Sequence, residues 1–356
     1  MPSILIMAGG MGTRFWPASR KQNPKQLLNL TGNKTMIRET VDRVSYLVDV
    51  NKIFVVTTTN LAKKIAGELD FLPQDNIIIE PEGRNTAPCV ALSMVAIKSR
   101  YGNDEVVAVL PADHKIGDRK QYLNILKGVF DYTSEKDSVA TFGIKPSRPE
   151  TGYGYIETGS SIYKNDNFEI RAGVRFVEKP NEKRARRYVE SGRFLWNSGM
   201  FILKTGTFMR LCADYLPEMF VEMEKLESSL NDYNMLKEIY SRMPKVSFDN
   251  GIMERLEEFI VVPGDFGWDD LGSWLALENN LPADEKGNVI VGDFIGLDLE
   301  NNIIYGNGRQ TVAAVGLKNF VVVIRDDVIM ICPKDRNQQI KELVEEVKQR
   351  GRDDLL

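Results

Sequence analysis

Five short β-branched apolar runs dominate the first ~145 residues, at Ile4–Met7, Ile53–Thr57, Ile77–Ile79, Val106–Leu110 and Val139–Ile144. Stretches of helical spacing lie between them, at about 35–48, 60–71, 86–101 and 119–134. A chain that switches repeatedly from one period to the other builds βα units. The sequence therefore predicts an α/β fold: a Rossmann-like mixed, mostly parallel sheet with helices on both faces. Asp118 with Gln121 resembles a capping box opening the last of these helices. Strand-like segments at Arg175–Glu178, Gly199–Leu203 and Phe259–Val262, with a long amphipathic helical region at about 207–243, are expected to complete the sheet and cover its open edge.

Beyond Pro282 the texture changes to short strands and Gly/Asn turns, at Gly292, Gly296, Asn301, Asn302, Gly306, Asn307 and Gly308, before a charged helix at about 335–349. A length of 356 residues suits two domains. The expected division is 1–282, a large α/β domain, and 283–356, a small β-rich domain with a closing helix. Its turn spacing loosely suggests the stacked hexapeptide coils of a left-handed β-helix, with no repeat strict enough to establish one.

Scarce residues exclude more than abundant ones. The chain has one histidine, His114, and three cysteines, Cys89, Cys212 and Cys332, none within a hundred residues of another. A His- or Cys-rich zinc site cannot be assembled from this set, and any Ser-His-Asp triad would need His114. Scattered, odd-numbered thiols suit a reducing compartment. Forty-six basic against fifty acidic side chains, a net charge of −4, argue against nucleic acid as a partner. No apolar run approaches the ~20 residues that cross a bilayer, and Ile4–Met7 lacks the length and basic lead of a signal peptide. The expectation is a cytoplasmic protein with no membrane partner.

The run Ile4–Met7 passes directly into Ala8-Gly9-Gly10-Met11-Gly12-Thr13-Arg14. Such a turn exposes backbone N–H groups at the carboxyl edge of the sheet, where phosphates dock in open α/β folds. It is no Walker A loop, and the dinucleotide pattern that starts at Gly10 and Gly12 meets Phe15 where a third glycine is required, so a nicotinamide dehydrogenase is disfavoured. A tight strand turn is the plainer alternative. Arg14, with Lys25 of Pro24-Lys25-Gln26, adds two cations beside the loop. Asp113, just after the run Val106–Leu110, and Asp270, in an aromatic Gly-bounded turn, lie 157 positions apart. Two carboxylates at strand ends can still meet, and their oxygens suit Mg²⁺; each could equally be an Asx cap.

The segment Ala8–Arg20 with Pro24-Lys25-Gln26 resembles the signature of the sugar-1-phosphate nucleotidylyltransferases. Its Trp16-Pro17-Ala18-Ser19-Arg20 ending is similar to the branch that guanylylates mannose 1-phosphate. Matching motifs follow in order: Glu80-Pro81 with Arg84–Pro88, Pro111–His114, Pro149–Ile156, Phe176–Pro180, Trp196–Phe201 and Gly267–Trp274. The resemblance implies a glycosyltransferase-A-like fold and transfer of GMP from GTP to mannose 1-phosphate, giving GDP-mannose and pyrophosphate with Mg²⁺ as cofactor; the alternatives are a related enzyme using another nucleoside triphosphate or hexose, and a non-catalytic nucleotide-sugar sensor. Two departures stand out. Asp269 adds a carboxylate beside Asp270, and Val246–Glu254 only approximates the family pattern, so that stretch is assigned no chemistry.

A sugar 1-phosphate is mostly dianionic at pH 7 and is its own nucleophile, so no side chain need be activated and His114 receives no catalytic role. The difficulty is repulsion between anions, about 4 kcal/mol per unit pair at 4 Å and an effective dielectric near 20. By resemblance, the catalytic residues Arg14 and Lys25 hold the triphosphate and stabilise the leaving group. Ala8, Gly9, Gly10, Gly12 and Thr13 cradle the nucleotide, Asp113 and Asp270 take the metal, and Lys179 meets the sugar phosphate. Glu80 offers a carboxylate to guanine's paired N–H donors, with Asn85 and Thr86 beside it as nucleotide contacts or helix caps. Gly152 and Gly154 permit close backbone approach, and Glu178 and Asn197 can bond sugar hydroxyls, though Glu178 equally suits an edge-strand ion pair. The length to Leu356 leads us to expect one activity without an appended isomerase domain. The C-terminal region either supports a homodimer or is an ordinary packed subdomain.

Overall fold

The computed structural model describes residues 1–306 and 308–356; Asn307, one of the turn residues above, lies outside them. Grouped by contacts, the chain forms two compact units. The first comprises Met1–Gly9, Val41–Ala112 and Ile116–Trp268, the second Gly10–Thr40, Asp113–Lys115 and Asp269–Leu356.

The first unit is built on a nine-stranded sheet: β1 (Ser3–Met7), β2 (Ile53–Thr58), β3 (Ile77–Glu80), β4 (Val106–Pro111), β5 (Ala140–Ile144), β6 (Tyr155–Lys164), β7 (Glu169–Val177), β8 (Phe194–Lys204) and β9 (Ile260–Gly264). Their order is β3-β2-β1-β4-β8-β5-β9-β7-β6. Strands β7 and β8 run against all the others, so the sheet is mixed and mostly parallel. Its central strands are covered on both faces, which is why they read as unbroken apolar runs: Leu5, Ile6, Phe54, Val55 and Val107 are fully buried.

The early helices fall near their expected positions, as α1 (Met36–Val44), α2 (Thr59–Glu68), α3 (Thr86–Tyr101) and α4 (Arg119–Glu135). Every residue of α3 from Ala87 to Ile97 is buried, as in a helix that is apolar all round. The Asp118 side chain accepts from the Gln121 N–H and opens α4. A further helix, α5 (Glu182–Ser191), follows β7.

Other boundaries differ from expectation. The helical region at 207–243 is three helices, α6 (Thr205–Tyr215), α7 (Pro217–Leu226) and α8 (Tyr233–Arg242). Pro217 starts α7 afresh, and Asp232 caps α8 by accepting from Asn234 and Met235 N–H. Strand β6 does not stand out in the sequence because its outer half, Ser160–Lys164, is exposed throughout, Ile162 and Tyr163 included, and shows no buried face. The Phe248–Gly251 turn of helix, α9, follows with Ser247 as its cap.

The second unit contains β10 (Val289–Val291), β11 (Phe294–Leu297), β12 (Ile303–Tyr305), β13 (Val312–Val315), β14 (Phe320–Ile324) and β15 (Ile329–Pro333). Strands β10, β12 and β14 pair in parallel, as do β11 and β13, so successive coils stack; β15 closes antiparallel on β14. Equivalent positions Val289, Ile303 and Val321 are 14 and then 18 residues apart, which explains the absence of a strict repeat. Buried amides bridge the coils. Asn288 Oδ1 accepts from Asn302 N and Nδ2 at 3.0 and 2.9 Å, and Asn302 Oδ1 accepts from Phe320 N at 3.0 Å. The closing helix α10 (Ile340–Gln349) is preceded by a 3-10 stretch, Lys334–Gln339.

From Gly10 onward the signature segment belongs to this unit. Phe15, Trp16, Leu28, Leu30 and Met36 share one core with Val289, Ile303, Val321 and Ile340. The Trp16–Pro17 peptide is cis. Trp16 Nε1 donates to Leu355 O at 2.8 Å, Trp274 Nε1 donates to Trp16 O at 3.2 Å, and Arg20 forks onto Asp327 at 2.7 and 2.5 Å. All three cysteines are free and buried. Among the described residues no helix is long and apolar enough to cross a membrane.

Candidate active site

In the second unit the loop after Gly9 turns through Gly12, whose φ of 62° lies in the left-handed region. A Cβ there would stand 2.4 Å from Lys25 Cβ, so glycine is required both by the turn and by the passage of Lys25 behind it. One 3-10 turn, Thr13–Phe15, presents Arg14, and Phe15 anchors it against Trp274 with ring centroids 5.0 Å apart.

Lys25 is buried, and its ammonium is the hub of this site. Nζ donates to Asp113 Oδ2 at 2.8 Å and to the Asp270 main-chain oxygen at 2.5 Å, which brings together two residues distant in sequence. Burial alone would push the Asp113 carboxyl up; the adjoining Lys25 and His114 charges outweigh it, and the net direction is down. Asp113 is thus held ionised. Asp270 sits in a turn fixed by its neighbour: Asp269 Oδ1 accepts from Leu271 N at 2.7 Å and Oδ2 from Asn280 Nδ2 at 3.0 Å. The extra carboxylate noted in the sequence is therefore a structural brace. A Cβ on Gly272 would come within 3.0 Å of Asp270 Oδ2, so glycine leaves that carboxylate room.

A cavity of about 310 Å³ lies over these groups, lined by residues 12–15, Lys25, Asp113, His114, residues 270–272 and Lys341. Arg14 Nη1 reaches Gly272 O at 3.5 Å, while its Nε is buried without a hydrogen-bond partner. A buried guanidinium N–H without an acceptor suits an anionic ligand. The two carboxylates are hard oxygen donors. Among the described residues no cluster of three or more His, Cys, Asp or Glu side chains forms a metal site. A pair of carboxylates fits Mg²⁺, which keeps waters and substrate phosphate oxygens as its remaining ligands.

The first unit carries two further groups of candidate residues. Ala8 and Gly9 follow β1, with Ala8 N donating to Val56 O at 2.8 Å. Glu80 ends β3 and is buried; its Oε2 accepts from Tyr240 Oη at 2.8 Å, and a Cβ on Gly9 would lie 2.8 Å from its Oε1. Burial pushes the Glu80 carboxyl up, opposed by the Tyr240 hydrogen bond; the Tyr240 hydroxyl is itself driven up by burial and by the Glu80 charge. Asn85 and Thr86 are engaged in structure. Asn85, at φ 71°, caps α3 by accepting from Thr86 N, and Thr86 Oγ1 accepts from Phe248 N at 2.8 Å.

The second group surrounds Gly154, where a Cβ would meet Glu178 Oε2 at 2.7 Å and Asn197 Cβ at 3.3 Å. Gly152 N donates to Glu150 Oε1 at 3.0 Å. Lys179, at φ 41°, pairs its ammonium with Glu178 Oε1. Asn197 Nδ2 donates to Asp249 Oδ1 at 2.8 Å, and Glu178 N donates to Glu254 Oε1 at 3.1 Å. Asp249 and Glu254 come from the stretch given no chemistry above. Burial, then the Glu178 charge, push the Asp249 carboxyl up to about 6. Tyr240, Asp249 and Glu254 bond candidate residues and Lys341 lines the cavity, and sequence reasoning missed all four. Only the approximate Val246–Glu254 match hinted at any of them.

Comparison with known proteins points one way. The family model "Nucleotidyl transferase" matches residues 3–287, and the model "MannoseP isomerase/GMP-like beta-helix domain" matches residues 292–347. Mannose-1-phosphate guanylyltransferase of Klebsiella pneumoniae is 37% identical over 98% of this chain and 74% of its own length. The alginate biosynthesis protein AlgA of Pseudomonas syringae pv. tomato is 37% identical over 98% of this chain and 72% of its own. The crystal structure of mannose-1-phosphate geranyltransferase from Thermus thermophilus superposes with a TM-score of 0.88 at 34% identity, covering 98% of this chain and 99% of that one.

Proposed function

This chain belongs to the nucleotidyl transferases, among the mannose-1-phosphate guanylyltransferases, and on that premise we propose that it transfers GMP from GTP to α-D-mannose 1-phosphate, giving GDP-mannose and pyrophosphate. The phosphate dianion of the sugar attacks the α-phosphorus in line with departing pyrophosphate. The protein supplies position and charge and no attacking atom.

In the second unit, backbone N–H groups of Gly10, Gly12 and Thr13 face the triphosphate, and Arg14 presents its buried, unpartnered Nε to it. Lys25 adds charge and holds Asp113 and Asp270 together. Asp113 and Asp270 would hold Mg²⁺, which when bound neutralises charge on the phosphates. In the first unit, Glu80 accepts from guanine N1–H and N2–H, oriented by Tyr240. Gly154 gives the hexose close access to Glu178 and Asn197, and Lys179 receives the sugar phosphate. His114 lines the cavity but has no proton to move, because the nucleophile arrives ionised.

The observation that carries this reading is the pair of hydrogen bonds from Lys25 Nζ to Asp113 and Asp270, since it joins the signature segment to both acidic residues. The test is pyrophosphate release from four nucleoside triphosphates, each with mannose 1-phosphate or glucose 1-phosphate. GTP with mannose 1-phosphate is expected to be fastest and to stop in chelator. Release without a sugar phosphate, or full speed in chelator, would overturn it.

A further inference from the structure

The loop, Asp113 and Asp270 face a group from far along the chain. Lys341, the second residue of α10, lines the same cavity. Its helix packs on the Thr13–Phe15 turn, and the preceding Ile340 is buried in the core that holds Phe15 and Trp16. Lys341 itself is exposed, as a side chain facing an open cavity must be.

Charge balance says why it matters. Lys25 has two of its three N–H groups committed to Asp113 and Asp270, and the Asp113 carboxylate already matches its charge. Counting side chains, Arg14 and Lys25 against Asp113 and Asp270 leave the lining neutral; Lys341 makes it positive. With Mg²⁺ on the two carboxylates the site would still face a tetra-anionic triphosphate, and a departing pyrophosphate needs positive charge in excess of the carboxylates around it.

Resting on the guanylyl-transfer reading above, we propose that Lys341 is a third phosphate-binding cation that holds the β- and γ-phosphates of the nucleotide and receives the departing pyrophosphate. Helix α10 thereby supplies part of the reaction's own machinery. No covalent bond to the protein forms: the α–β phosphoanhydride bond breaks, its electron pair leaves on pyrophosphate, and Lys341 stabilises that charge by hydrogen bonding. The sugar phosphate has no contact with it in this scheme, so its effect is selective.

The test compares Lys341→Ala and Lys341→Arg with the wild type, measuring binding of Mg²⁺–pyrophosphate, GTP and GDP-mannose by calorimetry and turnover in both directions. Lys341→Ala is expected to weaken pyrophosphate and GTP by about tenfold to a hundredfold, the range for a lost charge-assisted bond, and to leave GDP-mannose within about twofold. Lys341→Arg restores most of the loss. Unchanged pyrophosphate binding in Lys341→Ala, or equal weakening of all three ligands, overturns the proposal. A wild type that binds pyrophosphate through Lys341 yet turns over no guanylyl group would sink the activity reading alone.

Discussion

Trp16 donates its indole N–H to the main-chain oxygen of Leu355, 2.8 Å away and 339 positions along the sequence. The same residue offers its carbonyl to Trp274 Nε1. The aromatic of the signature thus fastens the segment around Leu355 to the glycine-rich loop. Trp16→Phe keeps an aromatic ring and leaves Leu355 O unpaired, with an expected loss of about 1 kcal/mol. Trp16→Ala opens a cavity in the shared core and is expected to cost about 3–5 kcal/mol. Urea unfolding measures both; equal stability of Trp16→Ala and wild type would show that the core does not depend on this side chain.

Asp113 and Asp270 meet the same ammonium through different atoms, which separates their variants. Lys25 takes the carboxylate of Asp113 but only the backbone oxygen of Asp270. Both Asp113→Ala and Asp270→Ala should abolish Mg²⁺-dependent turnover. Asp270→Ala is expected to melt like the wild type, whereas Asp113→Ala strands a buried ammonium and loses about 1–3 kcal/mol. Pyrophosphate release and thermal melts, run side by side, distinguish the two; substantial turnover in either would remove that residue from the metal site.

Asp249 makes stability depend on pH in a defined direction. Burial and the Glu178 charge raise its carboxyl from 3.8 unfolded to about 6 folded. Between those values the native state holds more protons than the unfolded one, so its contribution is present below pH 4 and declines as pH rises towards 6, by about 2–3 kcal/mol in full. Asp249→Asn keeps the shape and removes the titration. Urea midpoints from pH 4 to 7 should therefore converge on the variant at low pH and diverge above it; parallel curves would show that the carboxyl does not titrate in this window.

The sheet was legible where strands are covered on both faces, because Leu5, Phe54 and Val107 must all be apolar whatever lies beside them. It was not legible at Tyr155–Lys164, whose exposed outer half leaves the pattern to its strand partners alone. Asp113 and Asp270 stood out because each follows an apolar run or sits in a Gly-bounded turn. Tyr240 and Asp249 did not: one reads as an ordinary helix residue and the other as an Asx turn, and each acquires its role from a partner, Glu80 or Asn197, supplied by a distant strand. Asp269 was visible as an anomaly, but its purpose depended on Asn280 and the buried Leu271.

The shared core of Phe15, Leu28 and Met36 with Val289 and Ile303 has a consequence for biosynthesis. Ribosomes deliver the glycine-rich loop long before its supporting coils. Until those coils emerge, the early side chains have nothing to pack on. A messenger broken upstream of the coils therefore yields polypeptides that carry the signature without the core it packs on.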